Sequence, residues 1–131
     1  MKRKDDWQQH LTEYIEAHRD TVFEWGKSDC CIFAAGAVEV MTGENPMKSF
    51  TVKYSDEKTG RSLMGRYGGL ARILTDMFGH SHQRGQRGDV AYCDFPDGSA
   101  VGIHIGNKAV FLSTDGMVEV DLKDCKFFKV T

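Results

Sequence analysis

Trp7, Leu11, Tyr14, Ile15 and His18 recur at intervals of three and four residues, the stripe of an amphipathic helix with one buried face. A second helix is expected from about Ser28 to Thr42. Ser28 or Lys27 is placed near its N-cap and Asp29 in its first turn, where the helix dipole favours negative charge. From Ile32 to Met41 this segment is apolar nearly all round, which predicts a central, buried helix. Gly43, then Asn45 and Pro46, supply the stop.

Residues 47–67 carry charges, Gly60 and Gly65, and only a weak helical pattern. Gly68 and Gly69 break the chain. Leu70, Ile73, Leu74, Met77 and Phe78 then form a clear helical stripe ended by Gly79, and 80–87 is a polar loop.

From Gly88 onward the period changes to that of strands. Candidates are Val90 to Cys93, Ala100 to Ile105, Ala109 to Ser113, Met117 to Leu122 and Lys126 to Val130, with Gly106 and Asn107 as a turn signal. Helices first and an antiparallel meander after them predict an α+β fold.

Length and composition narrow this to one unit. The 131 residues suit a single domain, 1–131, with 40% hydrophobic and 11% aromatic content. The formal charge of −2, from 17 basic and 19 acidic residues, gives no basic face for nucleic acid. Lys2, Arg3 and Lys4 read as a solvated N-terminus. The polar run from Asp5 to His10 rules out a signal peptide's apolar core, and no run reaches a membrane span. The chain is therefore expected in the cytoplasm of its cell unless a larger assembly carries it out. Its four cysteines, Cys30, Cys31, Cys93 and Cys125, are expected as reduced thiols.

Cys30 is the residue whose setting reads as reactive. A thiol in the first turn of a helix faces unpaired backbone N–H groups and the positive end of the dipole, and both favour the nucleophilic thiolate. The plain alternative is a small core residue. His80 and His82 have the spacing of two metal ligands, but with no further ligands indicated they read as solvated and no metal is assigned. Arg87, Gly88 and Asp89 spell the adhesion tripeptide and read instead as a loop entering a strand. No phosphate-cradling glycine loop is present, and no cofactor is expected.

The stretch from Phe23 through Trp25, Gly26, Asp29 and Cys30 to Phe33 resembles the NlpC signature, in which an aromatic and Trp-Gly lead to Asp-Cys-Ser-Gly-Phe. Arg87 to Tyr92 resembles that family's Gly-Asp-Leu strand, and Val101 to Asn107 its Val-Gly-Ile strand and turn. Order and spacing agree across most of residues 23–113. A group of small phage and prophage proteins related to NlpC is similar in the leading Trp helix, the Cys element, the Gly-Gly helix and the tail from Asp124 to Val130. The resemblance implies a papain-like, NlpC-type α+β fold with the cysteine helix across an antiparallel sheet of about five strands. It also implies a phage tail-associated protein whose partners are other tail proteins or peptidoglycan peptides, made in the host cytoplasm and carried in the virion tail.

One departure bears on activity. Aligned on Val101, Gly102 and Ile103, the family's catalytic histidine falls on Ala100, and His104 takes an aromatic position. Side chains alternate along a strand, so 100, 102 and 104 share a face, and the resemblance implies that this face looks toward the cysteine helix. His104 then lies about 13 Å further along, at ~3.3 Å per residue. Three readings stay open for it: a satisfied core histidine, a base displaced by a slipped register, or an exposed side chain. The orienting third residue falls near Leu112, with Ser113 adjacent. The candidate set is therefore Cys30 as nucleophile and His104 as base, with Trp25, Asp29, Tyr54 and Tyr67 lining a cleft. Two functions follow: a structural or adaptor module with a decayed catalytic set, favoured here, or a cysteine peptidase or amidase cutting peptidoglycan stem peptides. Region 44–67 is a candidate cover for the cleft.

Overall fold

Trp7–Ala17 forms α1, which buries Leu11 and Ile15 as its stripe predicts. Its Tyr14 hydroxyl donates to the Phe33 carbonyl at 2.8 Å on the next helix. That helix, α2, runs Cys30–Thr42. Gly36 is what admits Tyr14, because a Cβ there would collide with the Tyr14 hydroxyl. The computed structural model describes residues 2–49, 54–96 and 98–131, so part of the 44–67 region, residues 50–53, lies outside the described residues.

The start of α2 differs from the sequence expectation. Asp29 is itself the N-cap, its carboxylate accepting from the Ile32 N–H at 2.9 Å, and Cys30 is the first helical residue. Asp29 takes the cap because one carboxylate oxygen meets the Ile32 N–H while the other holds the preceding turn at the Gly26 N–H. Gly43 ends the helix in the left-handed conformation, φ 87°. The weak pattern at 54–67 resolves into α3, Glu57–Arg66, held at its start by a reciprocal Asp56–Thr59 capping box. α4 is Leu70–Phe78.

The sheet follows the helices: β1 Val90–Phe95, β2 Gly98–His104, β3 Ala109–Ser113, β4 Gly116–Val120 and β5 Lys126–Phe128. All pairings are antiparallel and the spatial order is β4-β3-β2-β1-β5. The predicted meander therefore holds for four strands only. The fifth crosses back to pair with β1, with Val90 opposite Phe128 and Tyr92 opposite Lys126. A 3-10 turn, Leu122–Asp124, makes that crossing possible.

Both faces of the sheet are covered. One packs on α2: Val90, Val101, Ile103, Val110, Leu112 and Phe128 meet Phe33, Ala34, Ala37, Val38 and Met41. The other carries Ala91, Cys93, Ala109, Phe111, Cys125 and Phe127, with Ala100 against them. Gly102 belongs to this second face, where Phe111 and the Val110 carbonyl occupy the space a Cβ would need.

The N-terminus is anchored rather than solvated. The Arg3 guanidinium donates to the Asp89 carboxylate at 2.9 Å, to the Val130 carbonyl at 2.7 Å and to the Arg87 carbonyl at 2.8 Å, and it lies 4.3 Å over the Trp7 ring. Asp89 also accepts from the Gln86 and Val130 N–H groups. A buried carboxylate with a cation and two amide donors is a structural clamp. It accounts for the Arg87, Gly88, Asp89 tripeptide, whose aspartate is only 6% exposed. No helix is long and apolar enough to cross a membrane among the described residues.

Candidate functional site

The turn that leads into α2 is built around Asp29, which is 1% exposed. One carboxylate oxygen caps Ile32. The other accepts from the Gly26 N–H at 3.0 Å and from the Tyr54 hydroxyl at 2.5 Å. Gly26 takes φ 80° in that turn, with the Tyr54 backbone carbonyl where a side chain would stand. Tyr54 meets Trp25 edge-on at 6.4 Å between ring centroids, and Trp25 meets Phe23 edge-on at 5.2 Å. Gly60 of α3 packs against both Tyr54 and Trp25. Burial, then the hydrogen bond to Asp29, hold the Tyr54 hydroxyl far above the usual phenol range. Trp25, Asp29 and Tyr54 thus come together in the turn before α2. Tyr67 is the C-cap residue of α3 and is 43% exposed.

Cys30 follows directly and is half-buried. Its thiol is held below the ordinary cysteine range, chiefly by the hydrogen bond from the Cys31 thiol. Backbone N–H groups of Val101 and Cys31 act in the same direction, against burial and the Asp29 charge. Cys31 is pushed the other way, because it gives that hydrogen bond and is itself desolvated. The vicinal pair therefore divides its labour: Cys30 holds the more stable thiolate, and Cys31 holds the proton.

The groups acting on Cys30 are Cys31, Val101 and Asp29, and no histidine is among them. The strand phase explains why. The face of β2 that packs on α2 carries Val101 and Ile103. His104 belongs to the opposite face, 4% exposed, with its ring 5.2 Å from that of Phe127. The expectation that 100, 102 and 104 look toward the cysteine helix is corrected here by one residue of phase. His104 Nδ1 accepts the Gly106 N–H at 3.0 Å, and the Gly85 backbone holds the ring's other nitrogen. Burial lowers its proton affinity. Of the three readings left open, the arrangement is that of a satisfied core histidine. Leu112 packs on the helix side, 1% exposed, and the Ser113 hydroxyl donates to the Gly116 carbonyl within its own hairpin.

Beyond Val101 the helix-side face of β1 and β2 turns polar. Tyr92 lies opposite Val101, and Asp94 opposite Ser99. The Tyr92 and Ser99 hydroxyls each lie 2.9 Å from an Asp94 carboxylate oxygen and 2.9 Å from one another. Only the strand pairing brings these three together; the signal in the sequence was the alternation Tyr92, Asp94 and its mirror Ser99, Val101.

A cleft of about 290 Å³ opens between α2, α3, α4 and the sheet. Val38, Met47, Met64, Leu74, Met77 and Phe78 give it an apolar wall. Cys31 and Tyr54 border it, whereas Cys30, Trp25, Asp29 and Tyr67 do not. Among the described residues no three His, Cys, Asp or Glu side chains gather to hold a metal ion. The His82 backbone is instead bridged to Phe127.

These features define a class: an α+β protein with a half-buried thiol at a helix start, set against a sheet whose facing residue is a valine. The chain belongs to the family described as Domain of unknown function (DUF6950), whose model matches residues 2–130. No curated protein matches it in sequence.

Proposed function

We propose that the chain is a papain-like, NlpC-type module of a phage or prophage tail in which the catalytic set has decayed and the fold serves a structural or adaptor role. The observation that carries this reading is the placement of His104. It lies on the sheet face away from α2 with both ring nitrogens engaged by backbone, and general-base catalysis needs an imidazole about 3 Å from the thiol. The sequence resemblance to tail-associated relatives of NlpC supplies the setting. The partners are other tail proteins, met in the host cytoplasm and retained in the virion tail.

A second reading, a cysteine peptidase or amidase acting on peptidoglycan stem peptides, is favoured by one observation. Cys30 keeps a depressed thiol pKa at a helix start. The test combines two measurements on the phage that encodes the chain. Purified tails should contain the protein, and a Cys30→Ala phage should form plaques as the parent does. A protein absent from tails and from tail intermediates sinks the structural reading. Release of peptides from purified peptidoglycan by the wild-type chain, lost in Cys30→Ala, establishes the hydrolase instead.

A further inference from the structure

The second pair of cysteines lies on the other side of the sheet from Cys30. Cys93 is on β1, and Cys125 immediately precedes β5. The β1–β5 register pairs Ala91 with Phe127 and Tyr92 with Lys126. One step further along the same ladder sets Cys93 against Cys125, whose backbone is already extended at φ −115°, ψ 159°. Directly opposed residues of an antiparallel pair have Cα atoms about 4.5–5.5 Å apart. That lies inside the range of about 4.4–6.8 Å that a disulfide spans. Both side chains belong to one buried cluster on that face, with Ala91, Ala109, Phe111 and Phe127. Each also points at a carbonyl of the preceding turn, Cys93 at Asp124 at 3.4 Å and Cys125 at Asp121 at 3.7 Å.

We propose that Cys93 and Cys125 are a site of oxidative modification, a cross-strand disulfide that locks β5 onto β1. With oxidised glutathione as oxidant, a Cys93 thiolate attacks the glutathione disulfide and expels one glutathione thiolate. Cys125 then attacks the Cys93 sulfur of the mixed disulfide and expels the second. Two protein thiols are oxidised, one glutathione disulfide is reduced to two glutathione thiols, and the two protons released by the cysteines end on them. The bond matters for this topology because β5 is short, three residues, and pairs along one edge only. The Cys93–Cys125 link closes the long excursion through β2, β3 and β4, and so restricts the unfolded chain. Both thiols are 6% exposed, and burial raises the proton affinity of each, Cys125 to about 12. The folded protein therefore oxidises slowly, and the pair stays reduced under brief exposure. The pairing does not depend on the tail reading above.

The experiment equilibrates the full chain with oxidised glutathione in large excess over reduced, once as native protein and once refolding from urea in the same buffer. The refolding arm exposes both sulfurs and removes the kinetic barrier of burial. The expected result is loss of the Cys93 and Cys125 thiols together, as a Cys93–Cys125 linked peptide on non-reducing mass spectrometry, whatever glutathione Cys30 takes up. The oxidised protein should melt on the order of 10 °C higher, and Cys93→Ala and Cys125→Ala should abolish the shift. After refolding, four free thiols, stable glutathione adducts on Cys93 or Cys125, or pairing of either with Cys30 or Cys31 would each overturn the proposal.

Discussion

The Tyr54 hydroxyl donates a 2.5 Å hydrogen bond to the buried Asp29 carboxylate, so the segment before α3 is tied to the residue that caps α2. A tyrosine 25 positions away thereby becomes part of the helix start that positions Cys30. Replacing it tests that link. Tyr54→Phe removes one hydrogen bond to a charged acceptor while Asp29 keeps its two amide donors, and should cost about 2 kcal/mol. Asp29→Ala also strips the cap and orphans the Gly26 and Ile32 N–H groups, and should cost about 3 kcal/mol or more. Urea unfolding followed by circular dichroism measures both. A Tyr54→Phe variant as stable as the parent would mean that the hydroxyl contributes nothing beyond the packing of the ring.

The Cys30–Cys31 pair makes a prediction about reactivity. A lowered thiol pKa means a larger thiolate fraction at any given pH, so Cys30 should be alkylated by iodoacetamide ahead of the other three cysteines. Its labelling midpoint should fall below the ordinary cysteine value of about 8.5. Because the Cys31 thiol is the main cause, Cys31→Ala should move that midpoint upward. A midpoint unchanged in the variant would assign the effect to the helix start alone.

Arg3 and Asp89 give the largest expected loss from a position at the chain's end. Arg3→Ala leaves a nearly buried carboxylate without its cation, which costs roughly 3 kcal/mol or more. Surface pairs such as Arg72–Asp76, with both side chains more than half exposed, should contribute under about 0.5 kcal/mol when broken. Chemical denaturation of Arg3→Ala beside Arg72→Ala compares the two directly.

His104 predicts a pH dependence. Burial lowers its folded-state pKa below the unfolded value near 6.5. The unfolded chain therefore binds the extra proton first, and stability is fully present above about pH 6.5 and declines as pH falls toward the folded pKa. Unfolding free energies measured from pH 7.5 to pH 5 should fall more steeply for the wild-type protein than for His104→Gln. Parallel curves would mean that the ring titrates without penalty in the fold.

Gly102 sits where β2 crosses Phe111 and the Val110 carbonyl. A Cβ at this position drives into backbone as well as ring, and backbone of a central strand yields little. Gly102→Ala should cost about 3 kcal/mol, whereas Gly65→Ala, with open space around it, should be neutral or slightly stabilising on a helix. Thermal melts of the two variants provide the check.

Much of the architecture was written in the periodicity. The stripe from Trp7 to His18, the apolar run after Cys30 and the strand-like segments after Gly88 all became elements of the predicted type, with β3 at its predicted bounds. Residues 57–66 were less legible, because α3 is mostly polar and buries only Gly60 and Leu63, too few positions to print a stripe. The grouping of Trp25, Asp29 and Cys30 was legible as well, since a cap and the residues beside it are local in sequence.

What the sequence determined by itself was the kind and order of elements and the position of a thiol at a helix start, because short-range sterics, capping and 3.6- or 2-residue periods are local properties. The tertiary structure decided which face of β2 meets that thiol. Both faces of the sheet are buried, so Ala100, Val101, Gly102 and Ile103 show no alternation of polarity from which to read the phase. It also decided that β5 returns to β1, that Arg3 reaches Asp89, and that Cys93 comes to face Cys125. Each of those joins residues far apart in the chain. Their meeting depends on the closure of the whole sheet and not on any pattern within one element.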